Sequence, residues 1–226
     1  MTQSSKLHLA IIPDGNRRWA KKRGLFAWKG HEMSAKQFKS LLECCRDDGR
    51  MSTLTFWCIS TENWKRSSEE VSHLLKLLEK YLKNEAEEMQ RSGIRLVHSG
   101  RRDRLPKSLM ALIDRVAADT AGNDRFTLHL AVDYGGKDEI VRAIKKSRNQ
   151  EIKTEEDLRD YLDHPELPDI DLVIRTGGDQ RTSNFFLWQT TYAEWMFPEK
   201  LFPDFTPDDL RAAIDAFARR QRRFGT

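Results

Sequence analysis

Apolar positions along this chain follow two alternating rhythms. Short continuous runs, Leu7–Ile12, Thr53–Ile59, Ile94–His98, Thr127–Val132 and Asp171–Ile174, read as buried strands. Between them, Ser34–Cys45, Glu69–Met89, Ser108–Ala117 and Lys137–Lys146 place apolar residues at helical spacing and read as helices. The longest aligns Val71, Leu74, Leu75, Leu78, Tyr81, Leu82 and Met89, with Ser67 and Glu70 positioned as a capping box at its start. Thr206-Pro207-Asp208-Asp209 opens a further helix carrying Leu210, Ile214 and Phe217. This strand–helix alternation, with no linker or repeat, predicts one α/β domain over 1–226: a doubly wound, mostly parallel sheet flanked by helices.

The segments that follow the strands are polar and mostly glycine-bearing: Pro13-Asp14-Gly15-Asn16, Ser60-Thr61-Glu62-Asn63-Trp64, Asp133-Tyr134-Gly135-Gly136 and Arg175-Thr176-Gly177-Gly178-Asp179. Parallel strands bring their carboxyl ends to one edge, where open α/β sheets bind ligands. All four segments are therefore expected to line one pocket.

Pro13–Trp19 joins a strand, a tight turn and a helix start, which gathers backbone N–H groups and the positive helix end at one point and favours bound phosphate. Arg17 and Arg18 add charged forks for phosphate oxygens. Asp14 would repel that phosphate unless a divalent cation bridged the two, so the segment reads as metal–diphosphate chemistry. In Arg175–Asn184, glycines permit close backbone approach, and Arg175 and Arg181 with Thr182 and Ser183 can surround a second anion. For both segments the plainer alternative is an ordinary turn with solvated arginines. Asn63 either orients a substrate between the anion sites or caps the helix that follows. His31 reads as a structural histidine as readily as a ligand, and Glu194 offers another carboxylate for a metal shell.

Composition narrows the partners. A length of 226 residues suits one large domain, and a net charge of +4 is too mild to imply nucleic acid. The basic cluster Arg219, Arg220, Arg222 and Arg223 reads as a solvated helix end. Cys44, Cys45 and Cys58 have no paired spacing, and no run approaches the roughly 20 apolar residues of a bilayer span, so a cytoplasmic protein is expected. Walker, dinucleotide-binding, nucleophile-elbow and paired-cysteine zinc motifs are absent from the sequence.

Taken together, the ordered blocks resemble the cis-prenyltransferases, the family of undecaprenyl and other Z-isoprenyl diphosphate synthases, from Leu7 to Gly225. They are I-I-P-D-G-N-R-R-W-A (11–20), G-H (30–31), S-T-E-N-W-K-R (60–66), D-Y-G-G (133–136), I-R-T-G-G-D-Q-R-T-S-N-F (174–185), W-Q-T-T-Y-A-E (188–194), F-P-D-F (202–205) and R-R-F-G (222–225). The D-D-x-x-D of trans-prenyl synthases is missing. The resemblance implies Mg²⁺-dependent condensation of isopentenyl diphosphate with an allylic diphosphate, forming Z double bonds. It further implies a homodimer and contact with a membrane surface for product release. Asp14 would hold the metal with help from Glu194, while Gly15, Asn16, Arg17, Arg18, Trp19 and His31 would take the allylic diphosphate. Asn63, with Ser60, Thr61 and Glu62, would sit at the reacting centre and assist proton removal, followed by Trp64 and Arg66. Arg175, Arg181, Thr182 and Ser183 would hold isopentenyl diphosphate. A non-catalytic subunit supporting a partner is the alternative, against which retention of these residues speaks.

The resemblance also implies an apolar tunnel, with the Glu69–Met89 stripe as one wall. Cys58 and Phe126 fall at lining positions, and Phe126 is expected to form the floor. With no insertion between Arg66 and Leu96, a short-to-medium product is expected. Ala27 stands where bacterial long-chain members carry an arginine, with Lys29 or Arg23 as its substitute.

Overall fold

Every apolar run forms a strand in the computed structural model, which describes residues 6–220. β1 (Leu7–Ile12), β2 (Met51–Ser60), β3 (Ile94–Ser99), β4 (Phe126–Tyr134) and β5 (Leu172–Arg175) are joined by a short edge strand, β6 (Glu194–Met196), which the sequence pattern does not predict. The order is β3-β4-β2-β1-β5-β6. All the neighbouring pairs run parallel. The chain steps outward from β1 through β2, then crosses to β5 on β1's other side. Asp14, just beyond β1, and Arg175, the last residue of β5, thus flank the switch point of the sheet, where ligands bind in such folds.

The helices are α1 (Asn16–Lys22), α2 (Ala27–Asp47), α3 (Ser68–Arg91), α4 (Lys107–Asp119), α5 (Gly136–Lys146), α6 (Glu155–Arg159) and α7 (Pro207–Ala218). α2 starts well before the predicted Ser34, and its Gly30 is a point of close approach. A β-carbon there would overlap the backbone of Asn16 in α1. α6, a single polar turn capped by Thr154, is also unpredicted. Ser67 caps α3 by accepting the Glu70 N–H, but the expected capping box is only half formed, since Glu70 turns its carboxylate elsewhere.

Both sheet faces are buried, which is why the strands read as continuous apolar runs. Leu9, Ile11, Leu54, Phe56, Leu128 and Leu130 pack beneath α2, α3, α4 and α7 in the larger core. On the opposite face Ala10, Ile12, Trp57, Ala131 and Tyr134 meet Phe185 and Phe186. A hydrogen-bonded chain crosses the strands on this second face. Ser99 Oγ lies 2.7 Å from His129 Nε2, His129 Nδ1 2.9 Å from Thr55 Oγ1, and Thr55 Oγ1 2.6 Å from His8 Nε2. His8 Nδ1 completes it at Pro168 O, 2.8 Å away. Burial lowers His8 to about 4 and drives His129 well below the ordinary imidazole range, so both are neutral. The motif at 222–225, with Arg222 and Arg223, lies outside the described residues.

Candidate active site

Strand β1 delivers Asp14 to a turn that only glycine completes: Gly15 has φ 102°, and a β-carbon would meet Leu201. The Gly15 N–H donates to Asp14 Oδ1 at 2.6 Å. From β5, Arg175 is 5% exposed and donates through Nη2 to Asp14 Oδ2 at 2.8 Å. Its Nη1 reaches Ser183 Oγ at 2.7 Å and the Arg181 carbonyl at 2.5 Å. Arg18 donates to Gly177 O at 2.8 Å and lies 3.3 Å from both Asp14 and Asp179. Burial pushes the Asp14 carboxyl up, but the Arg175 hydrogen bond and charge, then Arg18 and the Gly15 N–H, outweigh it and hold the group below its ordinary range. Asp14 is an anion clamped among cations.

Two polar basins meet at this residue. One, of about 540 Å³, is lined by Asp14, Ser60, Glu62, Asn63, Arg175, Ser183 and Asn184 among others. The second, of about 560 Å³, is lined by Gly15, Arg17, Arg18, Lys21, Leu25 and Ala27. Pro13, Asp14, Asn16, His31 and Arg66 belong to both. An apolar channel opens beside them between α2, α3 and the sheet, walled by Ala35, Cys58, Leu74, Leu77 and Leu78. Its room, about 80 Å³, is a fraction of that in either basin. His31 lines all three spaces. Burial, reinforced by the Arg66 charge, lowers its imidazole to about 4 against the opposing pull of Glu70, so it is neutral near pH 7.

A 3-10 turn, Thr61–Lys65, carries Asn63. The capping reading of Asn63 is seen in the structure. Its Oδ1 accepts the Ser60 N–H at 3.0 Å in a complete capping box, which leaves its amide NH₂ as the donor available to the basin it lines.

Asn184 binds this side of the pocket together, a role that sequence alone did not assign. Its Nδ2 donates to Glu62 at 3.1 Å, its Oδ1 accepts the Lys137 N–H at 2.8 Å, and its carbonyl accepts the Gly136 N–H at 2.7 Å. Ser183, Asn184 and Asp133 adopt positive φ without being glycine, a cost that persists where surrounding contacts over-determine the backbone. Glu70 is the other residue missed. Its carboxylate lies 2.9 Å from Arg66, 3.5 Å from His31 Nε2 and 3.8 Å from Arg17. An acid one turn beyond Arg66 was the available signal.

A family model described as "Putative undecaprenyl diphosphate synthase" matches residues 12–225. The chain belongs to this cis-prenyltransferase family. It is 44% identical to an isoprenyl transferase of Fusobacterium nucleatum over 100% of this chain and 98% of that one. It is 43% identical to an isoprenyl transferase of Thermotoga maritima over 96% of each. Among solved structures, lavandulyl diphosphate synthase from Lavandula x intermedia, in complex with dimethylallyl diphosphate, superposes with a TM-score of 0.91 at 34% identity, covering 97% of this chain and 98% of that one. A probable undecaprenyl diphosphate synthase from Campylobacter jejuni gives 0.84 at 34%, covering 98% and 99%. The protein is thus a cis-prenyltransferase, an enzyme of prenyl chain elongation.

Within this cis-prenyltransferase several expected site residues stand back from the basin walls. Trp19 is buried against Ala20 and Leu201 and donates to Asp204 at 2.7 Å. Trp64 donates to the buried Asp133 at 2.8 Å beneath the Arg104 guanidinium. Thr61 packs against Gly135, Thr182 is exposed, and Arg181 is exposed and paired with Asp179 at 3.2 Å. Glu194 is not brought to Asp14 within the chain. Parallel register sets it opposite Leu172, at the far end of β5 from Arg175, and its carboxylate pairs with Arg220. Lys29 and Arg23 pair with Glu32 and Asp204 and do not line the basin beside Ala27, whereas Arg17, Lys21 and Arg66 do. Phe126 does not line this channel. It opens β4 opposite Ile94, and Leu130, about 13 Å further along the strand, lines the channel. The deep end holds Phe38, Phe56 and Tyr81, with Phe38 centred 4.3 Å from Phe56 and 5.2 Å from Tyr81.

Proposed function

We propose that this enzyme joins isopentenyl diphosphate to an allylic diphosphate, forms Z double bonds, depends on Mg²⁺, and releases a short-to-medium polyprenyl diphosphate. The observation that carries this is two arginine-bearing basins meeting at one ionised aspartate beside an apolar channel. The basin of Gly15, Asn16, Arg17, Arg18 and His31 suits the allylic diphosphate, since a tail leaving it runs past His31 into the channel. That of Arg175, Ser183 and Asn63 suits isopentenyl diphosphate.

Asp14 fits a metal that arrives with its diphosphate. Its side chain is 29% exposed, and Asp179 stands across Arg18 from it. Among the described residues no group of three His, Cys, Asp or Glu could hold a metal alone. Mg²⁺ suits such a site, being commonly held by one or two carboxylates together with substrate phosphates. When bound, it would neutralise charge building on the departing diphosphate. Arg18 and Arg66 stabilise that same charge from fixed positions. Holding the second substrate by its own diphosphate on Arg175 and Ser183 makes the attack effectively intramolecular. Neutral His31 lies beside the tail without adding charge to the apolar side. Asn63 orients the group that loses its proton, and the departing diphosphate is the base at hand.

Exposed Val141, Ile144 and Tyr192 support a homodimer, and unpaired Cys44, Cys45 and Cys58 fit a cytoplasmic setting. Among the described residues no helix is long and apolar enough to cross a membrane. The reaction is tested by incubating pure protein with labelled isopentenyl diphosphate and dimethylallyl, geranyl or farnesyl diphosphate, with Mg²⁺ or with EDTA. Elongation to Z products that stops in EDTA is expected; no elongation with any starter would sink the reading.

The channel's aromatic end sets product length in this scheme. Cys58, raised to about 12 by burial, is a neutral wall residue, whereas Tyr81 fills space with a ring. Tyr81→Ala is therefore expected to shift the product distribution up by about one or two isoprene units on chromatography. An unchanged distribution would remove Tyr81 from the floor.

A further inference from the structure

The D-Y-G-G segment reaches the same sheet edge as the basins, yet its first residue turns away from them. Asp133, next to the end of β4, is fully buried and lines neither basin. Its φ of 53° is a left-handed backbone that a residue other than glycine adopts at a cost. Neighbouring backbone holds it there. Gly100, where a β-carbon would lie 2.1 Å from the Val132 carbonyl oxygen, lets the exit of β3 close against it. The Arg101 N–H then donates to the Asp133 carbonyl at 3.0 Å. Two side chains fill the carboxylate. Oδ2 accepts Arg104 Nε at 2.9 Å, while Oδ1 accepts Arg104 Nη2 and, at 2.8 Å, the Trp64 indole N–H. The Arg104 guanidinium also lies over the Trp64 ring, 5.2 Å from its centroid. Burying a carboxylate on a strained backbone is costly even when it is paired. Such an acid at the substrate edge, touching no substrate space, points to work done on its neighbour.

That neighbour is the turn that carries Asn63. Thr61–Lys65 buries none of its own residues, so tethers fix its place. The Asn63 bond to the Ser60 N–H shapes the turn itself, and Asn184 holds Glu62 at 3.1 Å. Trp64, packed partly against the larger core and bonded to Asp133, is the tether that adjoins Asn63. We infer that Asp133 is a positioning residue: by fixing the Trp64 indole it aims the adjacent Asn63 NH₂ into the basin shared with Arg175 and Ser183. Misplacing a reacting group by about 1 Å can cost about 10² in rate, so a tether one residue from Asn63 matters to turnover. The inference rests on the prenyl-transfer reading, which gives Asn63 a group to orient.

The test is a kinetic cycle on the full chain. Trp64→Phe removes the indole N–H and keeps a ring beneath Arg104. It should lower kcat about tenfold while KM for either diphosphate changes by less than about twofold. Asn63→Asp keeps the oxygen that accepts the Ser60 N–H and removes the amide donor. In that background Trp64→Phe should cost nothing further, because nothing is left to aim. Asp133→Asn keeps an acceptor oxygen on a residue type that tolerates positive φ, and should restore most of the kcat lost in Asp133→Ala. Should Asp133→Ala fail to fold, the Trp64–Asn63 cycle decides alone. Losses that multiply in the double variant would mark a merely structural bond and overturn the inference. A raised KM with kcat unchanged, or full activity in Trp64→Phe, would overturn it as well. The tether is also read without substrates, by nuclear magnetic resonance. The Trp64 indole N–H, identified by its loss in Trp64→Phe, should exchange slowly with deuterated water, and rapid exchange would sink the inference. Slow exchange in a preparation that elongates nothing would uphold the tether while the prenyl-transfer reading failed.

Discussion

Replacing Asp14 by Ala should abolish turnover while the fold survives. Asp14 is the residue both basins share that carries a formal negative charge, and it holds Arg175 at 2.8 Å and Arg18 at 3.3 Å. Removing it does two things. It deletes the carboxylate available to a metal, and it frees the two guanidiniums to clamp diphosphate in orientations that do not react. Loss of one electrostatic group aimed at developing charge ordinarily costs about 10²–10³ in rate, and here the loss of arginine alignment adds to it. A fall in kcat of at least about 10³ is expected, with a KM for isopentenyl diphosphate that changes far less, because Arg175 and Ser183 remain. The backbone consequences are mild, since Thr176 and Phe202 bond the Asp14 carbonyl and not its side chain. Near-normal turnover by a folded D14A enzyme would remove Asp14 from the chemistry. D14N separates the effects by keeping shape and losing charge, and it should be almost as impaired.

The second large effect is loss of stability in mild acid. His8, His31 and His98 are each held near 4, and His129 well below the ordinary imidazole range, chiefly by burial. These histidines are neutral in the folded chain and protonate freely once unfolded, near 6.5. Between those values the unfolded state binds more protons, so stability rises with pH and falls as pH drops through the window. A displacement from 6.5 to about 4, as at His8, is equivalent to about 3 kcal/mol when fully expressed, and about 2 kcal/mol by pH 5. Glu139 works in the opposite direction, since burial raises its carboxyl and acid relieves it. Asp14 and Asp163, both lowered, add further losses below about pH 4. Against a typical total of about 5–15 kcal/mol, the histidines alone bring the protein close to unfolding at pH 5. Urea unfolding at pH 7 and pH 5 measures this. Equal stabilities would contradict the prediction, and His8→Gln should flatten the dependence.

Much of this architecture was legible because the sheet is buried on both faces and its strands leave unmistakable apolar runs. The anion-binding turns were legible for a related reason: Asp14 and Arg175 lie at the carboxyl ends of strands that a parallel sheet must bring to one edge. What stayed hidden depended on partners distant in sequence. The helix predicted from Ser34 in fact begins at Ala27, and its Gly30 is where the backbone of α1 lies against it. Glu70 suggested a cap, yet it serves Arg66 and His31, and nothing local to α3 announces His31. Glu194 followed its motif into the expected metal shell, but β6 pairs in a register that puts it at the wrong end of β5. Phe126 and Leu130 share a face of one strand, and only the depth of the channel distinguishes them.

Asn184 has a consequence for how the enzyme opens. One side chain and its carbonyl join the turn at Gly136, the acid at Glu62 and the arginine-bearing loop, so these three walls swing as a single panel or stay shut.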